Sequence, residues 1–228
     1  TLNKAYEYCD GEYILRMDGD DISEPNRLEK LLGYLKSKTH IDLVGCHTLT
    51  INESGDVIGK SKFPTDEKRV YKSLDFKMSP VAHIWLAKKV VYEELLPYRF
   101  STVEDYDFLL RAKTSGFRFT NYDGYLYRVR MREGNTASTK GLIQIKSCYI
   151  VYKMYKERIR HGYEITEYKV NTNKVCNVIH NKSNKKLQLA VKNSGITRYI
   201  YPLLSIFYSP CYQLKFLHTR MLFKLPNR

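Results

Sequence analysis

Three carboxylates fall within four positions, Asp18, Asp20 and Asp21 in "RMDGDDIS" (16–23), immediately after the apolar-leaning run "EYIL". Carboxylates that close repel one another, so at least one should hold its proton more tightly than usual unless a cation is near. On a strand, residues two apart point to the same face. Asp18 and Asp20 can therefore face one ligand, with Gly19 allowing close approach to the backbone. Mg2+ or Mn2+, held by one or two carboxylates and completed by phosphates and water, suits such a set and would carry a diphosphate. The same residues also fit a solvated acidic turn that caps the following helix. A second acidic group, Glu104, Asp105 and Asp107 in "STVEDYDFLLRAKTS" (101–115), opens a helix, where the helix dipole favours negative charge. That is a structural explanation which leaves a catalytic one open.

The elements that must hold these residues alternate between strand and helix. "EYILRMD" reads as a largely buried strand ending in carboxylates. "SEPNRLEKLLGYLKSK" reads as a helix: Ser23 or Glu24 can cap it, Pro25 suits the first turn, and Leu28, Leu31, Leu32 and Leu35 repeat at helical spacing. "IDLVGC" (41–46) is a short apolar strand, and "HTLTINESGDVIGKSKF" a hairpin around Glu53-Ser54-Gly55-Asp56. "LAKKVVYEELL" (86–96) is expected as a helix stopping at Pro97, and "VEDYDFLLRAKTS" as another ended by Gly116. "FRFTNY" and "YLYRVRM" read as two strands. The interspersed pattern up to about residue 131 predicts an α/β domain. "GLIQIKSCYIVYKMYKERIRHG" is then a long amphipathic helix, followed by a polar Asn- and Lys-rich stretch and an aromatic, basic tail.

At 228 residues and 43% hydrophobic, the chain can bury one good core and is not a disordered protein. Thr1 and the strand already under way after it predict a chain that starts inside a domain. Five cysteines, odd in number and without a CxxC, argue against a disulfide framework or a zinc site. No run of about eighteen apolar residues and no charged-then-apolar opening is visible, which predicts a cytoplasmic protein. The charge is uneven: residues 1–128 carry 19 Lys and Arg against 20 Asp and Glu, whereas 129–228 carry 19 against 4, and no acid follows Glu167. A near-neutral body joined to a basic, aromatic-rich extension predicts contact with anionic lipid headgroups at the inner face of a membrane. Nucleic-acid binding competes for the same charges, but no motif for it is present, and no specific nucleic acid is expected.

"GEYILRMDGDDISEPNRLEKLLGYL", then "IDLVGC", "SPVAHIWLAKKVV", "VEDYDFLLR" and "YLYRVR" together resemble the family 2 glycosyltransferases of GT-A fold, bacterial sugar transferases that build surface polysaccharides. The resemblance covers about residues 1–132. It implies a GT-A-like mixed sheet flanked by helices, present in part, over 1–132, with a basic, mainly helical extension over 133–228. It implies that Asp18 and Asp20 bind a divalent metal bridging the phosphates of a nucleotide-sugar donor, a UDP-sugar being the first choice, with Asp20 the direct ligand and Asp21 in support. It implies that Glu104-Asp105 supplies the base, assigned to Asp105. His83 is implied to line the acceptor pocket, and Tyr127 and Arg128 (or Arg130) to meet the diphosphate. The acceptor is implied to be a glycan or a lipid-linked glycan. The family's opening strand, its early acidic residue and the turn after it have no counterpart here.

Two other classes fit parts of the pattern. An aspartyl-nucleophile phosphatase also opens on a strand and a D-x-D, but Ile22 stands where Thr or Val is usual and Glu104-Asp105 is left unexplained. An inactive fragment, or a basic membrane- or nucleic-acid-binding module, would use the extension alone.

Overall fold

The computed structural model describes residues 1–75, 79–132, 140–170 and 178–183. The chain divides into two compact units, Thr1–Arg132 with Cys148–Glu167, and Glu133–Ser147 with Tyr168–Arg228. The boundary at Ser147/Cys148 falls within the helix Gly141–His161. Most of the tail lies outside the described residues, as do Cys176 and Cys211; among the described residues no disulfide joins Cys9, Cys46 or Cys148.

In chain order the elements are α1 (Leu2–Tyr6), β1 (Tyr13–Leu15), β2 (Ile22–Ser23), α2 (Arg27–Ser37), β3 (Leu43–Ile51), β4 (Val57–Ser61), α3 (Glu67–Asp75), β5 (Leu86–Lys88), α4 (Lys89–Leu95), α5 (Glu104–Thr114), β6 (Phe119–Arg130) and α6 (Gly141–His161). The sheet runs β1-β5-β3-β6-β2, with β4 on β3. β3 and β6 are parallel and the other pairs antiparallel, so the sheet is mixed, flanked by helices as the resemblance implies. Leu43–Thr48 is buried at every position, the signature of a central strand covered on both faces. One cluster joins Leu31 and Leu35 of α2 to Val44, Cys46, Leu86, Leu126 and Tyr127. Phe108 of α5 stacks on Trp85, their rings 5.5 Å apart.

Three elements differ from the sequence-based expectation. Leu86–Lys88 forms strand β5 instead of the first turn of a helix, because its apolar residues pair with both β1 and β3. The two strands expected at 117–131 are one, β6, whose register against β3 shifts around His47; Gly124 sits so close to the Tyr122 ring that a Cβ would lie 2.7 Å from it. α2 starts at Arg27, with Asn26 rather than Ser23 or Glu24 at its cap and no capping side chain. Ser23 is drawn into β2, while the Glu24 amide donates to the Leu126 carbonyl at 3.0 Å. The hairpin turn forms as expected: Gly55 has φ +93°, and the Asn52 and Asp56 side chains bond across it.

Candidate active site

β1 ends at Leu15, but the Arg16 amide still donates to the Trp85 carbonyl at 3.0 Å, holding the start of the acidic loop against the approach to β5. The loop then turns, and its three carboxylates part company. Asp18 Oδ2 meets His83 Nε2 at 2.8 Å. Asp20 Oδ2 pairs with Arg132 Nη2 at 2.7 Å. Asp21 Oδ1 accepts the Arg130 amide at 2.8 Å. The repulsion expected of the triplet is thus offset in part by the chain's own cations and donors, most of them from the end of β6.

The consequences for protonation follow these partners. The hydrogen bond from His83 holds Asp18 below the usual carboxylate range, against the opposing effect of burial. Burial pushes Asp21 up, more strongly than the Arg130 amide and the Tyr127 hydroxyl pull it down. Burial pulls His83 down, yet the Asp18 carboxylate and, further off, Asp105 raise it overall.

Ligand atoms of Asp18, Asp21 and His83 all lie within 4.8 Å of one another. Two carboxylate oxygens and one imidazole nitrogen suit a transition ion such as Mn2+ better than Mg2+, which prefers an all-oxygen shell. The residues present therefore fit a divalent cation. Of the expected pair, Asp18 belongs to this cluster; Asp20 does not, its carboxylate being turned to Arg132.

On the other side of Arg16 stands α5. The Arg16 guanidinium is buried, lies near the Trp85 and Tyr98 rings, and donates from Nη2 to Glu104 Oε1 at 3.1 Å, while its Nε and Nη1 have no partner. Glu104 and Asp105 occupy the first turn of α5, and the charge of Asp105 is felt at both Arg16 and His83. The third acid of that turn, Asp107, is fully buried between Arg99 and Arg111, a structural clamp apart from the other two. The Asp18–Asp21–His83 cluster and the acidic helix start are thus electrostatically linked through His83 and Arg16.

Tyr127 and Arg128 reach the loop from β6. Tyr127 is fully buried, and its hydroxyl accepts the Asp18 amide at 3.0 Å. Arg128 is held by Glu24 at 2.6 Å, and Arg130 donates to the Asp20, Asn52 and Glu53 carbonyls. Sequence reasoning passed over Arg16 and Arg132. For Arg16 the signal was present: a charge between Leu15 and Met17 in an apolar-leaning run has to find a partner once buried.

The chain is similar in sequence to known glycosyltransferases. Residues 1–96 match the profile described as Glycosyl transferase family 2. The chain is 34% identical over 135 residues to the glycosyltransferase EpsE of Bacillus subtilis, a match covering 57% of this chain and 47% of that protein. It is 31% identical over 164 residues to the O-antigen biosynthesis glycosyltransferase WbnJ of Escherichia coli, covering 69% of this chain and 63% of WbnJ. It is 27% identical over 157 residues to the amylovoran biosynthesis glycosyltransferase AmsE of Erwinia amylovora, covering 68% and 58% respectively. The chain thus spans less than two thirds of the length of each of these relatives. Over residues 1–96, which contain the acidic loop and His83, the chain carries a glycosyl transferase family 2 domain.

Proposed function

We propose that this chain forms the metal and acceptor side of an inverting glycosyltransferase, which moves a sugar from a nucleotide-diphosphate donor to a glycan or lipid-linked acceptor in cell-surface polysaccharide synthesis. The observation that carries the reading is the convergence of Asp18, Asp21 and His83 beside a helix start bearing Glu104 and Asp105. Asp18, Asp21 and His83 hold a divalent ion, Mn2+ by their donor chemistry, and Asp20 stands beside them on Arg132. When bound, the ion supplies positive charge to the departing diphosphate. Asp105 takes the proton from the acceptor hydroxyl as its oxygen attacks the anomeric carbon from the face opposite the leaving group; a single displacement of this kind inverts the centre. Glu104, bonded to Arg16, fixes the first turn of α5 on which the base stands. Arg128 and Arg130 lie close to the loop but are engaged by Glu24 and by backbone carbonyls, which supports a role in shaping the donor site over direct contact with phosphate.

The names of WbnJ and AmsE support a polysaccharide product, and UDP is the nucleotide to test first. Among the described residues no helix is long and apolar enough to cross a membrane. The basic excess after residue 128 supports a peripheral contact with an anionic membrane face, where a lipid-linked acceptor would be met. Calorimetric titration of UDP into the protein carrying this chain, with and without Mn2+, is the direct test: binding that requires metal is expected, and metal-independent or absent binding of every nucleoside diphosphate overturns the reading. Asp105→Asn is expected to lower transfer by about 10²-fold or more with donor affinity nearly unchanged. Equal loss of both removes Asp105 from the base role.

A further inference from the structure

One guanidinium lies behind the whole cluster. Arg27, the first residue of α2, has no solvent exposure, although it sits at a helix start where a surface charge would be expected. Its Nη2 donates to the carbonyl of Arg16 at 2.8 Å and also to the carbonyl of Ile84, and its Nη1 reaches Ser23 Oγ at 3.4 Å. Its Cζ lies 4.5 Å from the centre of the Tyr127 ring, the distance of a cation–π contact.

Each of these partners is next to a member of the metal cluster. Arg16 is two residues before Asp18, and Ile84 directly follows His83. The Tyr127 hydroxyl accepts the Asp18 amide at 3.0 Å. One buried guanidinium therefore ties together the chain leading to Asp18, the chain leaving His83 and the ring that holds Asp18. A buried, always-charged guanidinium is costly to desolvate, and Arg27 Nε has no partner here. An apolar residue could fill that volume but could not donate to carbonyls of two different segments, and a planar guanidinium can in addition lie over the Tyr127 ring.

We propose that Arg27 is a positioning residue for the cation site, fixing the spacing of Asp18 and His83 through the Arg16 and Ile84 carbonyls and through Tyr127. Outer-shell groups that orient metal ligands are typically worth roughly 10- to 100-fold in metal affinity. The inference rests on the cation site proposed above, so the experiment separates the two.

Binding of Mn2+ alone is measured by calorimetry, with circular dichroism and melting temperature, on the unaltered protein and on Arg27→Lys, Tyr127→Phe and the double variant. Arg27→Lys keeps the charge and loses the planar guanidinium with its second nitrogen and its contact with the Tyr127 ring. Tyr127→Phe keeps the ring under Arg27 and loses only the hydroxyl. Each folded variant is expected to bind Mn2+ about ten-fold or more weakly. The double variant is expected to lose less than the product of the two single losses, because both act through one chain of contacts. A merely structural Arg27 lowers the melting temperature and leaves the Mn2+ affinity of the folded protein unchanged; that result overturns the proposal while the cation site stands. If the unaltered protein binds no Mn2+, the cation site fails and the proposal with it. Should Arg27→Lys not fold, Tyr127→Phe decides: undiminished affinity in that variant overturns the route through Tyr127 and the proposal.

Discussion

Glu104 and Asp107 stand three positions apart on one helix and meet opposite surroundings. Asp107 is fully buried and accepts from Arg99 at 2.5 Å and Arg111 at 2.9 Å. Removing one member of a buried ionic cluster leaves the others uncompensated, so Asp107→Ala should destabilise the protein by about 3 kcal/mol, read from urea unfolding. The Asp18–His83 pair predicts a pH dependence for the metal-free protein. Asp18 is held low, so its contribution is present above the unfolded carboxylate value and is lost as pH falls through its folded value. His83 is held high, so its contribution is present below the unfolded imidazole value and is lost as pH rises through its folded value. Both are complete between about pH 4 and 6.5. The urea midpoint of metal-free protein should therefore be highest in that interval, and His83→Gln should flatten the profile; an unchanged profile in the variant refutes the pairing. At this scale the acids were legible in the sequence, because clustered carboxylates next to an apolar run have few structural uses. Arg27 was not, because whether an arginine is solvated or buried depends on what later segments bring over it.

The elements carry the same lesson in another form. The helical readings of α5 and α6 rest on strong local signals, and Gly116 and Gly162 end them with φ of +86° and +80°. β5 was hidden because three residues of strand flow straight into α4, and only pairing with β1 and β3 decides where one ends. β6 was split because Asp123-Gly124 reads locally as a turn, whereas the parallel partner β3 absorbs the pair as an irregularity in register. That central pairing tolerates little. A Cβ on Gly45 of β3 would lie 2.4 Å from Val81 Cγ1 and 2.5 Å from Asn121 Oδ1, and Asn121 is already committed to the Pro64 and Pro80 carbonyls. Gly45→Ala is expected to cost about 1–3 kcal/mol as overpacking, again read from denaturant unfolding. A neutral substitution would mean that the segment around Val81 yields freely.

For the molecule as a whole, charge is the property that local pattern conveyed best. If the basic excess of residues 129–228 serves a membrane face, the protein should sediment with vesicles containing phosphatidylserine, not with neutral ones, and lose that binding at about 0.5 M salt. Equal binding to both vesicle types would remove the electrostatic role. The bond between the Asp18 amide and the Tyr127 hydroxyl spans 109 residues, and this separation governs biogenesis. At about 5–20 residues per second, on the order of 5–20 s pass between the synthesis of these two positions. During that interval the nascent chain carries its acidic loop without the ring, the amide of Arg130 or the guanidinium of Arg132 that later engage it. It also exposes β3 without its parallel neighbour. The proposed cation site can thus be assembled only after β6 has left the ribosome, so a chain stalled before β6 should neither bind metal nor resist proteolysis.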